Sequence, residues 1–525
     1  MAKLDSLTSL RFFAALWVVL FHARDQFNCL WELSRNIVFS QAVTFFFVLS
    51  GFILAYVYPE MLSKQEKWSY LLKRFGRIWP LHALCLVAIV LFLPLGVQLE
   101  PKSLQYPYPL MFFTNLFLVQ SWILGPQFYF SFNPPAWSLS NEIFFYGILP
   151  LLLVPLNKKV ISIQLIPLLV CLLIVLSLCN FANALDLPMT STDSISLEAL
   201  LGVNPMVRVF DFCLGASLAF LFKNFSEKIN SKLNSTSATL FEISALFAVF
   251  TAVWNTSSIC DAVKRISFIS AAGSYWLRES GIVILFFAAL IFIFALERGY
   301  LSKVLSAPYL VLLGEISFAI YLWHFPLIKA FYAYMPHQRS LRAFCFYLMI
   351  LFCLSFLSYK LWESPVRSIF VQIANKEKIK LPSGKFSFNI SIALILLGLS
   401  IFLVRENIQI LDPDQLAQIK NLKSFTLTQK SFDSDLLLEG YELTNAPLGK
   451  NINLVWTKSG KQRLDQSLLV QFFNQRNELF HQQQLKLSGD NSFVLPVELP
   501  ERAYNEATKM TLRTNMGEES FILEH

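Results

Sequence analysis

An arginine and a histidine lie eleven residues apart in an otherwise apolar run, Arg11 and His22 in SLRFFAALWVVLFHARDQ. A membrane helix rarely carries two ionisable groups, because burying charge in hydrocarbon is strongly unfavourable. At about 100° per residue the two side chains fall within about 20° of one another after three turns. The rise between them is roughly 16 Å, about half the hydrocarbon core. One helix thus holds a fixed cation at one depth and a titratable base at another, an arrangement suited to chemistry carried out through a membrane. A lone intramembrane histidine is as often a packed structural residue, and it is the shared stripe with Arg11 that favours chemistry.

Three further clusters carry polar groups into apolar runs. In Lys73-Arg74-Phe75-Gly76-Arg77-Ile78-Trp79-Pro80, Arg74 and Arg77 are i,i+3 and share a helical face. Two guanidinium groups so placed can clamp a phosphate, although basic residues at a helix end also serve simply to set topology. In Asn133-Pro134-Pro135-Ala136-Trp137-Ser138-Leu139-Ser140-Asn141-Glu142 the prolines suit a helix start, and Ser138 and Glu142 are i,i+4. An acidic group so close to an apolar run needs a partner, and a Glu142–His22 pair is expected at the outer side of the membrane. In the run from Gly314 to Pro326, Gly314, Ser317, Tyr321 and His324 recur at helical spacing and form a polar stripe expected to face a bundle interior. Arg208 and Asp211, another i,i+3 pair, read as self-neutralising and structural.

The elements that must position these groups are membrane spans. The chain has 525 residues, 55% of them hydrophobic and only 15% charged, where soluble proteins average about 25% charged. The expected fold is a polytopic α-helical membrane protein of eleven spans, near 9–25, 37–58, 78–98, 137–156, 160–179, 205–222, 239–256, 280–297, 308–328, 341–361 and 387–404. The net charge of +8 reads as loop bias rather than nucleic-acid binding. With a cytoplasmic N-terminus and a non-crossing 108–124 segment, basic residues gather in the inner loops 59–77, 157–159, 223–238 and 362–386, while 180–204 has none and the outer loop 329–340 (Lys329, Arg339) is a mild exception. Segment 108–124, broken by Pro107, Pro109, Gly125 and Pro126, is therefore expected to be re-entrant or interfacial. The cysteines show no metal or disulfide spacing: Cys85, Cys171, Cys179, Cys213, Cys345 and Cys353 read as small core residues, and Cys29 and Cys260 fall in expected loops. Three regions are expected: a membrane core over 1–370, a basic linker with the last span over 371–404, and a β-rich domain over 405–525. After eleven spans the last would lie outside the cytoplasm.

Taken in order, Arg11-x10-His22, FFFVLSGFIL from Phe45, RFGRIWP from Arg74, WSLSNE from Trp137, SFAIYLWHFP from Ser317 and Glu363-Ser364-Pro365-Val366-Arg367 resemble the acyltransferase-3 family of membrane acyltransferases over roughly 4–370. The resemblance implies transfer of an acyl group, often acetyl, from cytoplasmic acyl-CoA to a hydroxyl of a sugar or glycolipid outside the cytoplasmic membrane. It implies that His22 is the base, that Arg11 is essential, and that Arg74 and Arg77 serve the CoA side. Glu142 is then expected to orient the imidazole, with Tyr321, His324 and Ser138 as candidate oxyanion donors and Trp137 beside them. No nucleophilic Ser or Cys stands out, so direct transfer is expected, with no metal. Many relatives carry a C-terminal hydrolase-like domain, but Gly489-Asp490-Asn491 lacks the nucleophilic serine and no Asp-x-x-His follows, so that chemistry is not assigned to 405–525. The partners expected are membrane lipids and the glycan or glycolipid acceptor, in a multi-pass protein of the cytoplasmic (inner) membrane. The rival reading is a transporter or flippase whose polar stripes line a path, which would call for broken helices and internal repeats; no repeat is evident.

Overall fold

The computed structural model describes residues 3–27, 38, 41–99, 106–158, 161–191, 194–264, 270–335 and 340–377, and eight strands between 425 and 522. The expected span 387–404, most of the linker before it, and Cys29 lie outside the described residues. The chain divides into two compact units, Met1–Asn407 and Ile408–His525.

The first unit is a helical membrane bundle. Its helices are α1 (Asp5–Phe27), α2 (Gln41–Val57), α3 (Lys64–Phe92), α4 (Tyr108–Leu116), α5 (Trp137–Leu156), α6 (Ile161–Ala184), α7 (Pro205–Lys232), α8 (Ser235–Trp254), α9 (Ala271–Ala295), α10 (Pro308–Tyr334) and α11 (Leu341–Ala374). Among the described residues nine of these are long and apolar enough to cross a membrane. The shorter α2, of 17 residues, rises about 25 Å and reaches the lower limit for a span.

Several helices are longer than the hydropathy pattern suggests. The stretch 59–77, expected as a loop, is largely the start of α3. Ser63 accepts from the Glu66 amide while the Glu66 carboxylate accepts from the Ser63 amide, a capping box that starts the helix before its apolar part. Likewise α7 continues to Lys232 and α11 to Ala374. Cys260, expected in a loop, is buried in the short helix Thr256–Val263, whereas Cys345 and Cys353, expected in the core, are exposed on α11. An apolar run cannot reveal which of its faces meets lipid.

Glycine lets two helix pairs touch backbone to backbone. A β-carbon on Gly51 of α2 would strike the Phe212 carbonyl of α7, and one on Gly215 would strike the Val48 carbonyl. A β-carbon on Gly314 of α10 would strike the Thr8 carbonyl of α1. Small residues are what close helix packing in lipid requires. Both pairs are parallel. Thr44 meets Arg208 and Phe52 meets Phe222 along α2 and α7; Thr8 meets Gly314, His22 meets His324 and Phe27 meets Phe331 along α1 and α10.

That parallelism counts the crossings. Parallel spans are separated by an odd number of crossings. Helices α3, α5 and α6 lie between α2 and α7, and seven spans, α2, α3 and α5 to α9, lie between α1 and α10. One more crossing at 108–124 would make both pairs antiparallel. The segment instead folds as the nine-residue α4 and short turns at Gln120–Trp122 and Pro126–Tyr129. Trp79 of α3 donates to the Leu116 carbonyl (2.9 Å) and His82 bonds the Asn115 carbonyl (2.8 Å), so the helix end is satisfied by protein.

In the second unit, β1 (Phe425–Asp433), β2 (Leu436–Ala446), β3 (Gly449–Lys458) and β6 (Phe493–Pro500) form one sheet in the order β1-β2-β3-β6. A second sheet has the order β5-β4-β7-β8, from β4 (Leu464–Phe473), β5 (Leu479–Gly489), β7 (Lys509–Thr514) and β8 (Gly517–Ile522). All the pairings are antiparallel.

Candidate active site

Five helices converge on a cavity of about 140 Å³. Arg11 of α1, Ser50 of α2, Arg74 and Arg77 of α3, Ser138, Glu142 and Tyr146 of α5, and Ser317 and Tyr321 of α10 supply its polar lining. Three arginines face one carboxylate, so the lining favours an anionic group. The volume is close to that of a benzene-sized void and well below the several hundred Å³ of a typical drug-sized pocket.

The arginines are not equivalent. Arg77 is bound to Glu363, whose side chain is 1% exposed, and it lies over the Phe318 ring (5.3 Å). Arg74 donates to the Tyr58 hydroxyl (3.2 Å), while its Nε is buried without a partner among the described residues. The expected phosphate clamp is thus asymmetric, with one guanidinium committed to a carboxylate. In the sequence Glu363 stands out only as part of a motif, and its pairing joins residues 286 apart.

Glu142 does not orient His22. It accepts from the Tyr146 hydroxyl (2.5 Å) and the Ser50 hydroxyl (3.3 Å), on the cavity side. The i,i+4 spacing of Glu142 and Tyr146 is a readable signal; depth counted from helix ends points to His22 because it ignores which way α5 faces. The partner of His22 is His324, with His22 Nδ1 3.0 Å from His324 Nε2. Phe21 and Phe325 flank the His22 ring at 4.9 and 5.2 Å between centroids.

Tyr321 stands between the two places. Its ring lines the cavity and lies 5.6 Å from that of His324. The hydroxyls of Tyr321 and Ser138 are 2.8 Å apart, and both lie 2.9 Å from the Pro135 carbonyl. Two protons meet two acceptors there, the carbonyl and the other hydroxyl, so neither proton is left for an oxyanion without rearrangement. Trp137 packs against Phe47 (6.1 Å) and its carbonyl accepts from Ser121. The stripe Gly314, Ser317, Tyr321 and His324 is buried throughout. Arg208 and Asp211 form a buried ion pair (3.1 Å), completed by Thr44 and Ser280, away from the cavity lining.

The model of the acyltransferase domain matches residues 4–360, which hold the cavity and both histidines. The chain belongs to the acyltransferase-3 family. The acyltransferase MdmB of Streptomyces mycarofaciens is 37% identical over 156 residues, 28% of this chain and 39% of that protein. The O-acetyltransferase OatA of Staphylococcus aureus (strain MRSA252) is 25% identical over 417 residues, 75% of this chain and 61% of that protein. The peptidoglycan O-acetyltransferase OatA of Listeria monocytogenes is 25% identical over 378 residues, 69% of this chain and 55% of that protein. The chain therefore spans from about two fifths to three fifths of the length of these curated relatives. No solved structure matches it.

Proposed function

We propose that the protein is an integral membrane O-acyltransferase, moving an acyl group, in the simplest case acetyl, from cytoplasmic acyl-CoA to a hydroxyl of a carbohydrate outside the cytoplasm. The observation that carries this reading is the continuity of α1 and α10: an arginine-lined cavity at one level, a histidine pair further along the same two helices, and Tyr321 between them. The names of the OatA relatives, O-acetyltransferase and peptidoglycan O-acetyltransferase, favour acetyl and a glycan.

The lining fits an anionic donor, since with Arg77 paired to Glu363 two arginines, Arg11 and Arg74, still face one carboxylate, Glu142, and the buried Arg74 Nε lacks a partner among the described residues. A cavity of about 140 Å³ suits a single anionic group or the thioester-bearing arm rather than a whole nucleotide. The donor supplies an activated thioester. His22 takes the acceptor's hydroxyl proton as the new ester C–O bond forms and the C–S bond breaks, and the proton then passes to the leaving thiolate. Arg11 and Arg74 hold negative charge, and Glu142 balances them.

In this reading the N-terminus is cytoplasmic, the protein resides in the cytoplasmic membrane, and the strands beyond residue 425 lie outside, where they would hold the acceptor or a partner. A reporter pair fused after residue 410 tests the placement: alkaline phosphatase activity without cytoplasmic fluorescence is expected, and the reverse overturns it. The activity itself is tested by CoA release from acetyl-CoA by purified protein with crude envelope glycan, alongside mass spectrometry of glycans with and without the gene. No acceptor-dependent release and no lost acyl mass would overturn the reading.

A further inference from the structure

We propose that His324 is a positioning residue that sets the tautomer of His22, leaving His22 Nε2 as the free base; the inference rests on the transferase reading for its purpose but not for its geometry. The carbonyl of Tyr321 can only accept a hydrogen bond. His324 Nδ1 lies 2.5 Å from it, so that nitrogen carries the hydrogen. In a neutral imidazole the other nitrogen is then an acceptor. His324 Nε2 faces His22 Nδ1 at 3.0 Å, so His22 donates from Nδ1. The lone pair of His22 is thereby placed on Nε2, the nitrogen turned away from His324.

The reverse assignment needs both nitrogens of His324 protonated. That would be a cation on a side chain with no exposed surface, whose ring neighbours are His22, Tyr321 and Phe325, with no carboxylate among the described residues bonded to it. An unpaired charge there is strongly disfavoured. His324 is held on two sides: the Tyr347 hydroxyl donates to its carbonyl (3.1 Å) as its ring donates to the Tyr321 carbonyl. A carboxylate usually plays the orienting part in such pairs. Here a neutral imidazole plays it, which keeps the pair uncharged in a low-dielectric bundle. The same assignment removes His324 from the candidate oxyanion donors, because its only hydrogen is already given to Tyr321.

The full chain, labelled with ¹⁵N-histidine and held in detergent, provides the test. Imidazole ¹⁵N shifts distinguish the two neutral tautomers. Nδ1–H on both His22 and His324 is expected in the unaltered protein, and Nε2–H on His22 overturns the proposal. His324→Gln keeps an acceptor near the place of Nε2 and should hold kcat within about tenfold. His324→Phe should lower kcat by roughly a hundredfold or more with KM for the donor unchanged, as loss of an oriented base does. Equal losses in the two variants, or full turnover in His324→Phe, overturn it. The unaltered protein's tautomers decide the geometry even if a variant fails to fold. Nδ1–H tautomers in a protein that never releases CoA would support the assignment and overturn the transferase reading alone.

Discussion

The arginine cavity and the histidine pair share two helices, α1 and α10, and carry polar groups into the membrane by opposite means. Around the cavity the groups are formally charged and answered by charge or hydroxyl: Arg77 by Glu363, Arg74 by Tyr58, Glu142 by Tyr146 and Ser50. At the histidines the groups pair with one another and with backbone carbonyls, and no carboxylate among the described residues takes part. Holding an anion calls for permanent positive charge. Moving a proton calls for a group that can be uncharged. The difference predicts that damage at the two places separates cleanly into binding and turnover.

The largest effect is expected at His22. His22→Ala should abolish acyl transfer while abundance, size-exclusion profile and donor affinity stay near those of the unaltered protein. Retention of more than a few per cent of CoA release would make His22 structural and dissolve the contrast.

Next comes Arg77, where the effect should be on folding. Removing one partner of a buried ion pair costs about 3–5 kcal/mol, because the other charge is stranded. Arg77→Ala should lower the thermal unfolding temperature in detergent markedly, and the double variant Arg77→Met with Glu363→Gln should recover much of the loss. A folded, stable Arg77→Ala protein would show that the Glu363 pair is dispensable.

Arg74, whose Nε has no partner among the described residues, should report on the donor. A charge-assisted bond contributes about 1.5–3 kcal/mol, so Arg74→Ala should weaken CoA binding roughly tenfold to a hundredfold, read by calorimetry, with the fold intact. Unchanged affinity would remove the cavity from the donor path.

The smallest effect is expected at Glu142. Glu142→Gln keeps an acceptor for Tyr146 and takes one negative charge from the arginines. CoA should bind a few-fold more tightly, and the His22 tautomer should not change. A change in the tautomer would restore a link between Glu142 and His22 that the distances do not show.

These contrasts are partly legible in the sequence. Spacing along one helix is read directly, so Arg11 with His22, Arg74 with Arg77, Arg208 with Asp211, and the buried stripe down α10 all follow from residue order alone. Pairs between helices do not. Neither His22 with His324 nor Arg77 with Glu363 leaves a local trace, since the partners are 302 and 286 residues apart. Glu142 is misplaced by residue order for the same reason: its depth can be counted, but the direction α5 presents it depends on packing against α2 and α10. Hydropathy also misplaces helix starts where polar residues begin a span, as at Ser63 and Glu66, because capping outweighs hydropathy there.

The parallel contact of α1 with α10 also sets an order of assembly. Helix α1 leaves the ribosome well before α10: His22 finds its partner His324 only 302 residues later. At about 5–20 residues per second of synthesis that is a delay of roughly 15–60 s. Through that interval Arg11 and His22 sit in a nascent helix that has neither Gly314 to pack against at Thr8 nor the His324 ring to meet at His22. The candidate site is therefore completed late in biogenesis, when the seven intervening spans are already inserted, and a chain stopped before Pro308 would leave His22 without its His324 partner.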